Sequence, residues 1–241
     1  MNASLSPPTR ALAIGAHPDD VEFGCGATLA QWADAGTLVH LLVLTDGSKG
    51  SWDAQDDLDH LIATREQEGR DAATRLANGA IEFAGFVDGE LASDEATRLA
   101  VCRTIREFRP DVVLGHDPWQ RYRLHPDHRH AGWATVDGIV AARDPHFFAG
   151  VSGPHHRPSA LLLFEADEPN HWEPVTTGLD PKVAALLCHR SQWRSTMDID
   201  PAADDRDTAI AAFSARVADA ASDAAGPDGR PAEAFRLITD L

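Results

Sequence analysis

The stretch "RALAIGAHPDD" (residues 10–20) combines a short apolar run with an abrupt change to polar side chains. Its apolar half predicts a buried strand over residues 10–16. The run "TLVHLLVLT" (37–45) predicts a second strand that is covered on both faces. Residues 23–36 between them have helical character and stop at Gly36. Strand, helix and strand at this spacing favour an α/β fold.

The alternation of strands and helices continues along the rest of the chain. The further predicted elements are helices over 58–78, 93–110 (with Ser93 as the cap), 180–193 and 207–222, and strands over 80–85, 111–116, 159–166 and 171–178. The last two strands indicate an edge hairpin. The pattern as a whole predicts a Rossmann-like three-layer α/β sandwich with a mostly parallel sheet. Because no repeat and no clear linker divides the chain, residues 1–241 are expected to form a single domain.

Composition and charge narrow the classes of partner. The chain has 21 basic and 38 acidic residues and a formal net charge of −17, so its surface repels nucleic acid and anionic membranes. The three scattered cysteines favour reduced thiols over a disulfide framework or a cysteine zinc site. The sequence shows no signal peptide and no apolar run of membrane-spanning length. We therefore expect a cytoplasmic protein with no nucleic-acid partner and no membrane insertion.

Charged segments follow four of the predicted strands. They are "HPDD" (17–20), "DGSKG" (46–50), "GFVDGE" (85–90) and "HDPWQRYRLHPDH" (116–128). The carboxyl ends of parallel strands meet at one edge of a sheet, where ligands bind in open α/β folds. The four segments are therefore expected to converge on one site.

The first of these segments carries three groups that can bind metal or move protons. His17 and Asp20 are three residues apart, a spacing that lets a turn aim both side chains at one point, and Asp19 lies beside them. Helix capping alone would explain the two carboxylates, because Pro18 and acidic residues suit a first helical turn. Capping does not explain the histidine.

The last segment repeats this spacing in His125 and His128, with His130 just beyond. The chain has twelve histidines, so this cluster alone leaves open a packed or solvent-facing role. Taken together, the two clusters supply two histidines and a carboxylate, the three protein ligands that a catalytic zinc site takes. Asp19 is then a spare carboxylate, able to take a proton from water at the metal.

At this point the residues show a family resemblance. "AHPDDVEFGCGATLA" (16–30) and "HPDH" (125–128) resemble the two signature segments of the LmbE-like, or PIG-L, family of zinc-dependent N-deacetylases. "VLTDGSKG", "TREQEGRDAATRL", "FVDGEL", "RPDVVLGHDP" and "KVAALLCHRSQ" are similar to further family segments, in the family's order, over residues ~10 to ~195. Enzymes of this family remove acetyl from N-acetylglucosaminyl groups in glycolipids, thiol precursors and antibiotics.

The resemblance assigns the metal and the reaction chemistry residue by residue. It implies that His17, Asp20 and His128 bind Zn²⁺, with Fe²⁺ as an alternative because a mixed N/O site accepts either. Asp19 corresponds to the general base. His125 corresponds to the histidine that stabilises the oxyanion or protonates the leaving amine.

The resemblance also implies roles around this centre. Asp127 would orient one of the histidines, Arg65 would help to bind substrate, and Asp88 would hydrogen-bond the sugar. Two simpler alternatives stay open: Arg65 could pair with an acidic neighbour on its helix, and Asp88 before Gly89 is an ordinary turn dipeptide. For Tyr122, His189 and Gln192 the sequence assigns no role.

The expected function is hydrolysis of the acetamido group of an N-acetylglucosamine-type substrate, with an amino-sugar small molecule as the partner. One alternative is an amidase acting on thiol S-conjugates or other acyl amides. Another is a sugar- or metal-binding domain without catalytic activity. A homo-oligomer is an alternative to a monomer, and the sequence does not separate the two.

Overall fold

The computed structural model describes residues 4–77, 79–150 and 153–241. Within them a seven-stranded sheet has the order β3-β2-β1-β4-β5-β7-β6. The strands are β1 (Arg10–Gly15), β2 (Leu38–Thr45), β3 (Ala80–Phe86), β4 (Val112–His116), β5 (Ala160–Phe164), β6 (His171–Pro174) and β7 (Ala232–Ile238). Strands β1 to β5 are mutually parallel, and β7 runs antiparallel to both β5 and β6.

Helices cover both faces of this sheet. They are α1 (Asp20–Asp34), α2 (Leu58–Ala77), α3 (Glu95–Phe108), α4 (Pro126–Arg143), α5 (Leu179–Leu186), α6 (Trp193–Thr196) and α7 (Arg206–Asp223). Helices α1, α2 and α5 pack together on one face, and α3 packs against α4 on the other. The predicted three-layer α/β sandwich with a mostly parallel sheet is therefore confirmed.

Strand β1, which lies between β2 and β4, is apolar from Ala11 to its end because both of its faces are covered. Side chains alternate across a strand, so Ala11 and Ala13 join the core under α1 and α2, whereas Leu12 and Ile14 join the core under α3 and α4. All four side chains are fully buried. A strand with both faces covered has no position for a polar residue until it leaves the sheet. For β1 that point is reached just before His17.

Helix α1 departs from the prediction in two ways. It begins at Asp20 rather than at residue 23, and it is kinked at Cys25, whose φ of −149° and ψ of 17° are not helical. The kink leaves backbone N–H groups without helical acceptors. The carboxylate of Glu233 in β7 accepts from two of them, Ala27 N at 3.0 Å and Thr28 N at 2.8 Å.

The hairpin predicted over residues 159–178 is wrong. Strand β7, which the sequence analysis did not predict, lies between β5 and β6 and pairs with both. The chain therefore leaves β5 for the sheet edge and returns later to fill the intervening position. Its sequence "AEAFRLI" is only partly alternating, and its burial falls from buried Ala232 to exposed Arg236.

Two helix boundaries also differ. The cap of α3 is Asp94 and not Ser93, because the Asp94 carboxylate accepts from Thr97 N while Thr97 Oγ1 accepts from Asp94 N. The helix predicted over 180–193 stops at Leu186, and a 3₁₀ turn and the short α6 follow. Ser191 causes part of this break, since its N–H and hydroxyl both bond the Glu68 carboxylate on α2.

Candidate metal centre and active-site cleft

The first candidate loop is held where β1 ends. The carbonyl of Ala16 accepts from both the N–H and the hydroxyl of Thr45 on β2, each at 2.8 Å. The chain then turns into α1, and the N–H of His17 donates to Asp20 Oδ2 at 2.7 Å. Asp19 lies at the N-cap with a φ of 118°, which is rare for a residue with a side chain, and its carboxylate makes no capping bond. Capping therefore does not account for Asp19.

The second candidate loop is the start of α4. His125 is the N-cap and Pro126 opens the first turn, so His128 projects from that same turn. Gly132 lets the helix approach the end of β4, because a Cβ there would lie 2.8 Å from the carbonyl oxygen of His116. The first turn of α4 is thereby brought against the loop that follows β1.

Three side chains from the two loops form a compact triangle. His17 Nδ1 lies 3.1 Å from His128 Nε2 and 3.3 Å from Asp20 Oδ2. His128 Nε2 lies 3.2 Å from Asp20 Oδ1. Ligands about 2.0–2.1 Å from one tetrahedral cation lie roughly 3.3 Å apart. Two imidazole nitrogens and a carboxylate, arranged in this way, fit a divalent cation with three protein ligands.

The far side of the His17 ring faces two carboxylates. Its Nε2 lies 3.2 Å from Asp88 Oδ1 and 3.3 Å from Asp127 Oδ2, and Gly89 N donates to that same Asp127 oxygen at 2.6 Å. Burial alone would lower the pKa of His17, but Asp20, Asp127 and Asp88 outweigh it and raise this pKa to about 12. The surroundings of His17 therefore stabilise positive charge, which a metal ion supplies in place of a proton.

Sequence reasoning did not single out His116, the last residue of β4. Its ring is buried, with Nε2 at 3.2 Å from Asp20 Oδ2 and Nδ1 at 3.3 Å from Glu165 Oε2, and it stacks on His128 at 4.5 Å. Burial alone would lower the pKa of His116, but Asp20 and Glu165 outweigh it and raise this pKa. The signal that could have identified His116 is a histidine at the carboxyl end of a central strand.

Glu165 is a second residue that the sequence analysis missed. It follows β5 with a φ of 58°, an uncommon value for a residue with a side chain. Its Oε2 also lies 2.7 Å from a guanidinium nitrogen of Arg123, whose Nε lies 2.9 Å from His128 Nδ1. Glu165 therefore connects His116 with the loop that leads into α4.

Arg65 from α2 is buried beside Asp19. Its guanidinium donates to the carbonyls of Gly47 at 2.9 Å and Pro18 at 2.8 Å, and one of its nitrogens lies 3.6 Å from Asp19 Oδ2. These partners come from the loops after β1 and β2, so the alternative that Arg65 pairs with an acidic neighbour on its own helix is wrong. Burial raises the pKa of Asp19 to about 6; Arg65 opposes this rise and Asp20 adds to it.

His125 is the exposed member of the histidine group. Its ring lies edge-on to His17 at 4.6 Å and stacks on His128 at 4.9 Å. Partial burial and the neighbouring His17 and His128 lower the pKa of His125, so its ring is neutral at pH 7. A neutral imidazole at the entrance can donate one hydrogen bond and accept another.

All these groups except His116 and Asp127 line one cleft of about 360 Å³. Its lining includes His17, Asp19, Asp20, Lys49, Arg65, Asp88, His125, His128, Glu165 and Gln192. Tyr122 is 92% exposed and does not line the cleft. Gln192 lines it and donates to the carbonyl of Gly50 at 3.1 Å, and buried His189 lies 3.5 Å from Glu22 Oε1.

The fold and the site together define a three-layer α/β protein with a candidate mononuclear metal centre at the carboxyl edge of its sheet. Comparison with known families narrows this class. The model of the PIG-L family, described as GlcNAc-PI de-N-acetylase, matches residues 12–139. The chain belongs to the PIG-L family.

Individual relatives agree with this assignment. A diacetylchitobiose deacetylase of Thermococcus kodakarensis is 32% identical over 198 residues, covering 80% of this chain and 73% of the relative. The solved structure of N,N'-diacetylchitobiose deacetylase from Pyrococcus horikoshii superposes with a TM-score of 0.81 at 28% identity, covering 96% of this chain and 84% of that chain.

A further solved structure shows that the fold carries more than one reaction. The 4-carboxy-2-hydroxymuconate hydratase of Pseudomonas putida superposes with a TM-score of 0.75 at 19% identity, covering 97% of both chains. This likeness extends to the fold alone. The reaction must therefore be argued from the site. Separately, no helix among the described residues is both long enough and apolar enough to cross a membrane.

Proposed function

We propose that this protein is a zinc-dependent N-deacetylase that hydrolyses the acetamido group of an N-acetylglucosamine-type small molecule. The observation that carries the proposal is the triangle of His17 Nδ1, Asp20 and His128 Nε2 with the spare carboxylate of Asp19 in the same cleft. The family description and the chitobiose deacetylases support the choice of substrate class.

In this proposal His17, Asp20 and His128 hold the cation. When bound, Zn²⁺ supplies Lewis-acid polarisation of the acetyl carbonyl and lowers the pKa of water. Fe²⁺ remains the alternative metal, since two imidazoles and a carboxylate accept either ion. Asp88 and Asp127 orient the His17 ring, and His116 orients the Asp20 carboxylate.

Asp19 acts as the general base. A carboxyl whose pKa is about 6 is largely ionised at neutral pH and still basic enough to accept a proton. Asp19 takes one proton from the water molecule whose oxygen bonds to the acetyl carbon. Arg65 fixes the position of the carboxylate through its contacts with Asp19 and the carbonyls of both adjoining loops.

His125 acts at the other side of the reacting carbon. Its neutral ring donates a hydrogen bond to the oxyanion that forms as the carbonyl double bond opens. The carbon–nitrogen bond then breaks, and the amine takes the proton that Asp19 removed from water, either directly or by relay through the His125 ring, which accepts one proton as it gives up another. The products are acetate and the free amino sugar. Arg65 and Asp88 line the cleft, so direct contact of either with the sugar stays a prediction.

The test is acetate release from the methyl glycoside of N-acetylglucosamine by the zinc-loaded protein, before and after chelation and after zinc or Fe²⁺ is returned. Asp19→Asn should keep the metal and lose about 10²–10⁴-fold in kcat. His128→Ala should lose the metal. The matched control for Asp19→Asn is Asp34→Asn, at the exposed end of helix α1, and it should retain full activity.

The rival functions give different results in the same assay. Acetate release from an N-acetylcysteine S-conjugate, with none from the sugar, would replace the proposal by the amidase alternative. Sugar binding with no turnover of any amide would indicate a domain without catalytic activity. Full activity of Asp19→Asn would remove the assigned base.

We also propose that residues 1–241 act as one domain, supported by the single sheet that all seven described strands share. The sedimentation velocity of the purified chain would distinguish a monomer from a homo-oligomer.

A further inference from the structure

A groove of about 420 Å³ adjoins the active-site cleft. The two share Phe23, Glu165 and Thr196 as lining residues, so they lie side by side. Phe23 lies one turn after Asp20 on α1, and Glu165 contacts the His116 ring that touches Asp20. The groove therefore begins next to the proposed metal ligands.

The walls of the groove are made of small and apolar side chains. Helix α7 contributes Val217, Ala220, Ala221 and Ala224, which recur at the spacing of one helix face. The opposite wall includes alanines of β7. Side chains this short leave space between α7 and β7 unfilled.

The charged groups in the groove are already paired. Lys182 Nζ donates to Glu233 Oε1 and to the carbonyl of Phe23, each at 2.7 Å, while Glu233 accepts the two N–H groups freed by the α1 kink. Arg216 donates to the carbonyl of Met197 at 2.5 Å. A ligand in this groove gains apolar contact from its walls, with few free polar partners.

The active-site cleft, in contrast to the groove, is lined by polar groups. Asp88, Arg65, His125 and Gln192 present polar atoms to the space beside the metal ligands. A molecule that fills both spaces is polar at one end, as a sugar is, and apolar at the other. The anomeric carbon is bonded to the carbon that bears the acetamido group, so an apolar group on the anomeric oxygen starts close to the metal ligands, where the groove also begins.

We propose that the substrate is an N-acetylglucosaminide with an apolar aglycone, and that this aglycone lies in the groove between α7 and β7. This inference rests on the proposed function for the position of the sugar. Each buried methylene of the aglycone should strengthen binding about threefold to fourfold. In a half-open groove, hexyl should gain at least roughly tenfold over methyl.

The experiment compares methyl, butyl and hexyl glycosides of N-acetylglucosamine with the zinc-loaded protein. Both kcat/KM for acetate release and Kd from calorimetry are measured. Ala220→Trp fills the groove from its exposed wall and should reduce the hexyl-to-methyl ratio to below about threefold. Ala215→Trp is the matched control, because Ala215 is exposed on the same helix and does not line the groove, and it should keep the full ratio.

A second arm places the alkyl chain on the acyl side, as the methyl glycoside of N-hexanoylglucosamine. The proposal would be overturned if the protein preferred the long acyl chain but not the long aglycone, and if Ala220→Trp removed that preference. Equal kcat/KM and Kd values for the methyl and hexyl glycosides would also overturn it. Acetate release from both glycosides would still support the deacetylase function. If no glycoside is hydrolysed, the deacetylase function fails; a chain-length dependence in Kd that Ala220→Trp removes would still locate the apolar group in the groove.

Discussion

Replacing His116 with glutamine should weaken metal binding without removing a metal ligand. The buried ring lies 3.2 Å from Asp20 Oδ2 and 3.3 Å from Glu165 Oε2, so it connects the proposed ligand to a second carboxylate. Burial alone would raise the pKa of Asp20, but His116 and His17 outweigh it and lower this pKa, so Asp20 is ionised and its hydrogen bond with His116 is charge-assisted. A hydrogen bond to a charged group contributes about 1.5–3 kcal/mol.

The expected loss in zinc affinity is about 10–100-fold, which corresponds to roughly 1.4–2.7 kcal/mol. Zinc affinity is measured by competition with a chromophoric chelator, and thermal unfolding of the metal-free protein shows whether the variant folds. His40→Gln is the matched control, since His40 is a half-buried histidine on β2 whose Nε2 lies 3.7 Å from Glu82 Oε2, away from the cleft.

Zinc affinity within twofold of the unsubstituted protein would refute this reasoning, provided that His116→Gln folds. If that variant does not fold, Glu165→Gln tests the same connection. It keeps the shape of the side chain at the outer end and removes its charge. A smaller loss in the same direction is then expected, and no loss would count against the role of the connection.

Three further predictions follow from the site and the fold. Burial raises the pKa of Asp19 to about 6, and a bound cation favours its ionised form. In a pH–rate profile, kcat/KM should therefore have a midpoint at or under about pH 6 and fall tenfold per pH unit below it. A midpoint above pH 7 would contradict the assignment of Asp19 as the base. Asp94→Ala should cost about 1 kcal/mol in urea unfolding at pH 7. The hydrogen bond from Thr97 N lowers the pKa of Asp94, so this difference should shrink as the pH falls through that lowered pKa, and a difference that persists at low pH would argue against the cap. Gly178→Ala should lower the free energy of unfolding by about 1–3 kcal/mol, because the new Cβ would lie 2.1 Å from the carbonyl oxygen of Ala27. An unchanged urea midpoint would show that the chain around Gly178 can move away from Ala27.

The parallel part of the fold could be predicted because its signals are local. Each of β1 to β4 is an apolar run that ends in polar residues, and each helix between them has its own start and stop. Strand β7 could not be predicted in this way. Its position between β5 and β6 depends on contacts between residues far apart in the chain, such as Glu233 with Ala27.

The same difference between local signals and long-range contacts applies to the candidate site. His17, Asp20 and His128 could be proposed because each pair of clustered residues is three apart and both clusters follow predicted strands. The surroundings of these residues could not be derived. Asp88 was expected to contact the sugar, and the structure brings it to His17 Nε2; His116 and Glu165 come from different strands whose meeting depends on the sheet order.

The carboxylate of Glu233 that caps the broken turns of α1 also sets an order of events during synthesis. Its partner Ala27 lies 206 positions earlier in the chain, an interval of roughly ten to forty seconds at a synthesis rate of about 5–20 residues per second. Until Glu233 is made, the helix that begins at Asp20, a proposed metal ligand, lacks this acceptor for the N–H groups of Ala27 and Thr28. A nascent or truncated chain that ends before β7 would hold every proposed ligand and still lack the brace behind the first of the two proposed metal-binding turns.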